Sequence, residues 1–169
     1  MSIRISTLVK AAAGAGLMAL AAQPGAAQAA LGPDAAACRG GGPALLVNVS
    51  GFKQRSGNLR VNVYGSDPEA FLERGRYVRR IDLRVTGSGT MPVCVRLPRA
   101  GRYAVAVRHD VDGDGSDWGD GGGFSRNPRL SLTNLRPRYD NVAFNVGQGV
   151  QNVNVTLLYR YGLSIRPAR

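Results

Sequence analysis

The chain has 169 residues, with 22 Lys and Arg against 11 Asp and Glu, a formal net charge of +11, and 44% hydrophobic residues. That is one domain's worth of chain, long enough to bury a hydrophobic core. A single histidine and only two cysteines exclude a histidine-pair metal site and a Cys-x-x-Cys redox centre.

Arg4 and Lys10 give a positive start, and Ala11 to Ala22 is an apolar run of twelve residues. Ala27-Gln28-Ala29 then supplies small residues where a signal peptidase reads, so residues 1–29 are predicted to be a secretory signal. A bilayer span needs about 20 apolar residues, which makes this run too short for an anchor. The mature protein is expected in the periplasm or outside the cell, with no transmembrane segment. Residues 30–43, rich in Gly, Ala and Pro, read as an irregular leader. Cys38 and Cys94, an even pair in an oxidising compartment, are expected to form a disulfide.

From residue 44 the apolar residues recur every second position, the signature of half-buried strands. Leu45, Val47 and Val49 alternate, as do Leu59, Val61 and Val63, and then Ile81, Leu83 and Val85. Met91, Val93, Val95 and Leu97 share a face, with Cys94 and Arg96 on the other. Tyr103, Val105 and Val107 follow, then Val142, Phe144 and Val146, then Val153, Val155, Leu157 and Tyr159. Seven such segments separated by Gly, Pro, Asn and Ser predict an all-β, seven-stranded antiparallel β-sandwich over residues 44–160, with a C-terminal tail over 161–169. Cys94 is expected to point away from the core, where the leader can reach it. One short helix is predicted after Asp67 as N-cap, with Pro68 at its first position and Gly75 at its end.

The strand ending at His109 runs into Asp110-Val111-Asp112-Gly113-Asp114-Gly115-Ser116-Asp117-Trp118-Gly119-Asp120. Five of the nine aspartates fall in this stretch of an otherwise basic chain. Alternating Asp followed by Gly is how a chain wraps oxygen ligands around calcium. Asp110, Asp112 and Asp114 fill the first, third and fifth positions of such a loop, Gly115 the sixth, and the Ser116 carbonyl the seventh. The twelfth position, a bidentate Glu in an EF-hand, is Gly121, and a strand precedes the loop instead of a helix. The loop is therefore no EF-hand; a calcium shell of another type would be closed by Asp117 or Asp120. The alternative is a solvated acidic turn, with Arg108 and Arg126 neutralising its charge. His109 is expected on the dry face, in a structural role. Trp118 and Phe124 are either an exposed aromatic patch for a sugar or peptide or, the better reading, a plug for the end of the sandwich.

Tyr103-Ala104-Val105-Ala106-Val107-x-His109-Asp110, the Asp/Gly loop, Gly123-Phe124-Ser125-x-Asn127 and the ending Leu157-Leu158-Tyr159 together resemble a family of exported bacterial proteins known as domain of unknown function 2141. The resemblance covers roughly residues 44–160. The loop here is richer in Asp than the family's pattern and lacks Glu. Leu97-Pro98-x-x-Gly101-x-Tyr103 is similar to the strand start of transthyretin-like and collagen-adhesin B-type sandwiches, within the broader immunoglobulin-like architecture. These resemblances imply a fold and no catalytic residue.

No Ser-His-Asp set and no Gly-x-Ser-x-Gly elbow is in view, so no enzyme is expected. The expected function is a non-catalytic binding or structural module, stabilised by calcium as its one candidate cofactor. The other reading is a surface module that binds an envelope component such as acidic polysaccharide or lipid head groups through scattered arginines. Few aromatics interleave with those arginines, which disfavours nucleic acid.

Overall fold

A computed structural model of the protein describes residues 29–115 and 117–168. The predicted secretory signal lies outside these residues, apart from Ala29. The described chain forms β1 (Ala44–Ser50), β2 (Asn58–Tyr64), β3 (Arg79–Arg84), β4 (Met91–Arg96), β5 (Gly101–Asp110), β6 (Gly121–Phe124), a single-turn helix α1 (Tyr139–Val142), β7 (Phe144–Val146), β8 (Val150–Thr156), β9 (Leu158–Tyr161) and β10 (Ser164–Pro167).

Two sheets result, as in a sandwich. One has the order β4-β1-β8 and the other β10-β9-β6-β5-β2-β3, with β7 added against the start of β5. Between them lie the alternating residues that the sequence marks. Leu45, Val47 and Val49 of β1 and Met91, Val93 and Val95 of β4 are fully buried against Leu59, Val61 and Val63 of β2 and Val105 of β5. Each such side chain contributes roughly 1.5–3 kcal/mol by leaving water.

The sandwich differs from its expected form in three respects. It has ten strands among the described residues, not seven. The segment expected as one last strand, Val153 to Tyr159, divides at Leu157. Its first half, β8, lies in the small sheet and its second, β9, in the large one. The pairing is also not wholly antiparallel, because β8 runs parallel to β1 from Ala44↔Val150 to Ser50↔Thr156. Alternation reports which face of a strand is dry and is indifferent to the direction of its neighbour.

The predicted helix after Asp67 shrinks to a 3-10 turn, Pro68–Ala70. Asp67 caps it as expected, accepting from the Glu69 N–H. The turn stops early because Phe71 is extended and Leu72 takes φ 64°. That break sends the Phe71 ring into a second cluster on the outer face of the large sheet, edge-on to Tyr64, Phe124 and Tyr139 at centroid distances of 5.3, 6.1 and 5.8 Å. Phe124 is thus an anchor. Trp118 is not a plug: it is 67% exposed.

The leader lies over the outer side of the small sheet. Leu31 forms a bridge with Val93, Ala35–Arg39 makes a 3-10 turn, and Cys38 is joined to Cys94 by a disulfide, with Cα atoms 5.9 Å apart. Asp34 fastens the same segment. Its carboxylate accepts from Arg79 Nε (2.9 Å) and a terminal Arg79 nitrogen (2.6 Å), and from the Arg96 N–H (3.0 Å). Burial works to raise the Asp34 carboxyl, but these hydrogen bonds and the two arginine charges outweigh it and hold it below its ordinary value. A lowered folded-state value means that the stabilisation is complete above the unfolded carboxylate range and is lost as pH falls through the folded one. Asp34→Asn is therefore expected to cost about 2 kcal/mol at neutral pH, because hydrogen bonds to charged groups contribute in that range. In acid melts the difference should begin to shrink below about pH 4 and vanish once the pH lies below the lowered folded-state value.

Candidate metal centre at the end of β5

The site begins with the register of β5. Alternation turns Tyr103, Val105, Val107 and His109 toward the core, so the next residue, Asp110, the last of β5, turns to the opposite face of the sheet. His109 locks that end of the strand. Its Nε2 is 2.8 Å from the Ser56 carbonyl oxygen and its Nδ1 is 2.6 Å from the Tyr159 hydroxyl. A carbonyl only accepts, so Nε2–H donates to Ser56, and in the neutral tautomer this leaves Nδ1 to accept from Tyr159. Burial first of all pushes the Tyr159 phenol up to about 12, which keeps its proton available for this bond. His109 is fully buried and both ring nitrogens are engaged, as its expected structural role requires.

Beyond β5 the chain reverses. Asp110 Oδ1 accepts from the Gly113 N–H at 2.8 Å. Gly113 and Gly115 take φ of 84° and 124°, left-handed values that a side chain would resist. The Ser56 hydroxyl donates to the Val111 carbonyl at 3.0 Å and steadies the turn from beneath. Asp112 Oδ1 faces the Asp114 N–H at 3.4 Å. The outcome is convergence: one carboxylate oxygen each from Asp110, Asp112 and Asp114 lies within 4.8 Å of the others. Asp110 is 8% exposed, whereas Asp112 and Asp114 are open to solvent. Hydrogen bonding with Asp112, and then its like charge, raise the Asp114 carboxyl above its ordinary value.

Asp117 and Asp120 do not join the three. Asp117 Oδ1 accepts from the N–H groups of Gly119 and Asp120, and Asp120 accepts from those of Val111 (3.2 Å) and Asp117 (3.3 Å). They staple the returning arm of the loop. Burial, ahead of any charge, raises the Asp120 carboxyl. Arg108 lies 3.7 Å from Asp110 Oδ2, as expected of a neutralising partner. Arg126 does not serve the loop; its guanidinium donates to the Ala143 carbonyl at 3.2 Å. Ser116, whose carbonyl completes the sequence-based ligand set, is outside the described residues.

Two supports of the site were not read from the sequence. Ser56 and Gly57, in the turn before β2, hold the His109 ring and the base of the loop. Their signal was a plain Ser-Gly-Asn turn, which says nothing of a partner some fifty residues away. The other is β6. Its three glycines read as a pliable stretch, yet they form a strand paired with β5 and closely covered by β8 and β9. A Cβ on Gly121 would overlap the Tyr159 ring, and one on Gly123 would crowd Val155 and Thr156.

The arrangement offers three convergent carboxylates for a hard cation. The Ser125 hydroxyl is buried, donating to the Val142 carbonyl (2.7 Å) and accepting from the Val105 N–H (3.0 Å). Compared with known proteins, residues 47–154, from β1 to β8 and including the whole loop, match the model of a family described as an uncharacterized protein conserved in bacteria (DUF2141). No curated protein and no solved structure matches the chain.

Proposed function

The chain belongs to the bacterial family DUF2141, and we propose that it is an exported, non-catalytic β-sandwich module whose Asp loop takes up one calcium ion to stiffen the end of the large sheet. The observation that carries the reading is the meeting of Asp110, Asp112 and Asp114 oxygens within 4.8 Å. Like charges this close oppose folding until a cation neutralises them. Calcium accepts six to eight oxygens at flexible distances, so backbone carbonyls and water can fill the rest of the shell, whereas magnesium demands a tighter octahedron. Export is supported by the Cys38–Cys94 disulfide, which persists in oxidising compartments.

Binding to an acidic polymer through scattered arginines is the weaker reading. Arg60 and Arg80 share Asp82, and Arg76, Arg79, Arg102 and Arg136 each pair with a carboxylate of their own. The charge of these six arginines is largely met within the molecule, although the chain as a whole keeps a net charge of +11.

A thermal melt with and without calcium tests the proposal. At about a hundred times the dissociation constant, calcium should stabilise the folded state by about 2.7 kcal/mol, raising the midpoint by roughly 5–10 °C. Asp112→Ala should abolish that rise, and without calcium it should melt no lower than the parent, since it also removes a repulsion. An unmoved midpoint at roughly millimolar calcium would leave only a solvated turn.

A further inference from the structure

On the outer face of the large sheet, two depressions flank the Asp loop. On one side a groove of about 950 Å³ runs over β2 and the neighbouring residues of β3, with Arg60, Asn62 and Tyr77 in its walls. On the other a hollow of about 230 Å³ lies beneath Trp118 and Arg160. Arg108 belongs to the walls of both. From these we infer that the outer face of the large sheet is a binding site for a neutral saccharide chain, lying from Asn62 across Arg108 to Trp118. The inference deepens the reading of the chain as an exported, non-catalytic module and rests on it; it does not require the metal.

Three observations carry it. First, Trp118 is the chain's single tryptophan, and it is held 67% exposed at the hollow. The Arg160 guanidinium, 4.6 Å over the ring centroid, occupies one face of the indole and fixes it, while the side chain as a whole stays open to solvent. An orientated, half-open aromatic is a platform for the C–H face of a pyranose, combining apolar area with a polar edge.

Second, Asn62 and Arg108 each retain a covered polar atom without a hydrogen-bond partner among the described residues: the acceptor Asn62 Oδ1 and the donor Arg108 Nε. An unpaired polar atom has lost water without gaining a partner, a cost that a ligand removes by pairing it. Both side chains line the groove, so turning the amide or guanidinium presents these atoms to a ligand. One needs a donor and the other an acceptor, and a hydroxyl group is both.

Third, the charge is mixed. Arg60 stands directly opposite Arg108 across β2 and β5 and opposite Asp82 across β2 and β3. Glu73, Asp110 and Asp114 line the groove beside the arginines, and Asp117 and Asp120 line the hollow. A polyanion would meet these carboxylates and a polycation the guanidiniums. An uncharged polyhydroxylated chain can bond to both kinds of group without a like-charge contact.

The test is titration of the protein with cellohexaose, maltohexaose, the N-acetylglucosamine hexamer and polygalacturonate, each with calcium and with a chelator. Calorimetry gives affinity, and Trp118 fluorescence reports from the site alone. At least one neutral hexamer should bind with a dissociation constant of roughly millimolar or below and shift the emission. Trp118→Ala and Asn62→Ala, which lie in different depressions, should each weaken binding by about tenfold or more while the variants remain folded with a cooperative melt. Failure of all three neutral hexamers, binding of polygalacturonate alone, or unchanged affinity in either variant would overturn the inference. Chromatography of the mixtures separates the two readings. A cleaved hexamer would defeat the non-catalytic module while leaving the binding site standing, whereas intact sugars without binding would defeat the site alone.

Discussion

Gly57→Ala is expected to destabilise the protein by about 4 kcal/mol or more, at the far end of what single substitutions do. Gly57 precedes β2 with φ 74°, and its α-carbon lies against the backbone where β5 becomes the Asp loop. A Cβ there would overlap the Asp110 carbonyl oxygen and crowd the carbonyl of Val111. Backbone cannot step aside as a side-chain end can. Relief means parting β2 from β5 where Asn58 pairs with Asp110, and with it the Ser56–His109 bond. Gly75→Ala is the matched control. It has a similar φ of 79° with nothing within 4 Å of the new methyl, so it should cost only the left-handed penalty of about 1–2 kcal/mol. Denaturant unfolding of both variants checks this. Equal losses would mean that the end of β2 does not hold the base of the loop.

Breaking the disulfide is expected to cost a comparable amount. Cys38 and Cys94 are 56 positions apart, and a loop of that length, once closed, restricts the unfolded chain enough to stabilise the fold by about 4 kcal/mol. The bond fastens the leader over the small sheet, where Asp34 and Leu31 also hold it. The Cys38→Ser, Cys94→Ser double variant should therefore unfold at markedly lower denaturant with its strand content kept below the transition. Reductant should reproduce the effect on the parent and do nothing to the variant. A parent indifferent to reduction would show that the leader's other contacts suffice.

The core was legible because burial imposes a two-residue rhythm on strands. Leu45, Val61, Val93 and Val105 are each read correctly as inward-facing, and Cys94 correctly as facing the leader. What was not legible depends on partners distant in the chain. Gly121, Gly122 and Gly123 carry no rhythm, and their strand exists because β5 offers an unpaired edge and Tyr159 leaves no room for a side chain. The crossing at Leu157 leaves the alternation intact, so one apparent strand becomes two in different sheets. Trp118 looked like a plug because large apolar residues are usually buried, yet the loop places it outside.

In the candidate site, Asp110, Asp112 and Asp114 were legible by their spacing, since alternate residues around a glycine turn face one point. Asp117 and Asp120 have the same chemistry, but the returning arm uses their oxygens to bond its own N–H groups, a competition that spacing does not reveal. The polar row formed by Asn62, Arg60 and Arg108 was present in the alternation as its wet half. It acquires meaning only when β2 and β5 are aligned.

The most direct measurement is calorimetric titration of the chelator-stripped protein with calcium. Three converging carboxylates predict a single saturable site, one ion per chain, that vanishes in Asp112→Ala and persists in Asp117→Ala. Absence of binding heat up to about millimolar calcium, or a site that survives Asp112→Ala, would contradict the account.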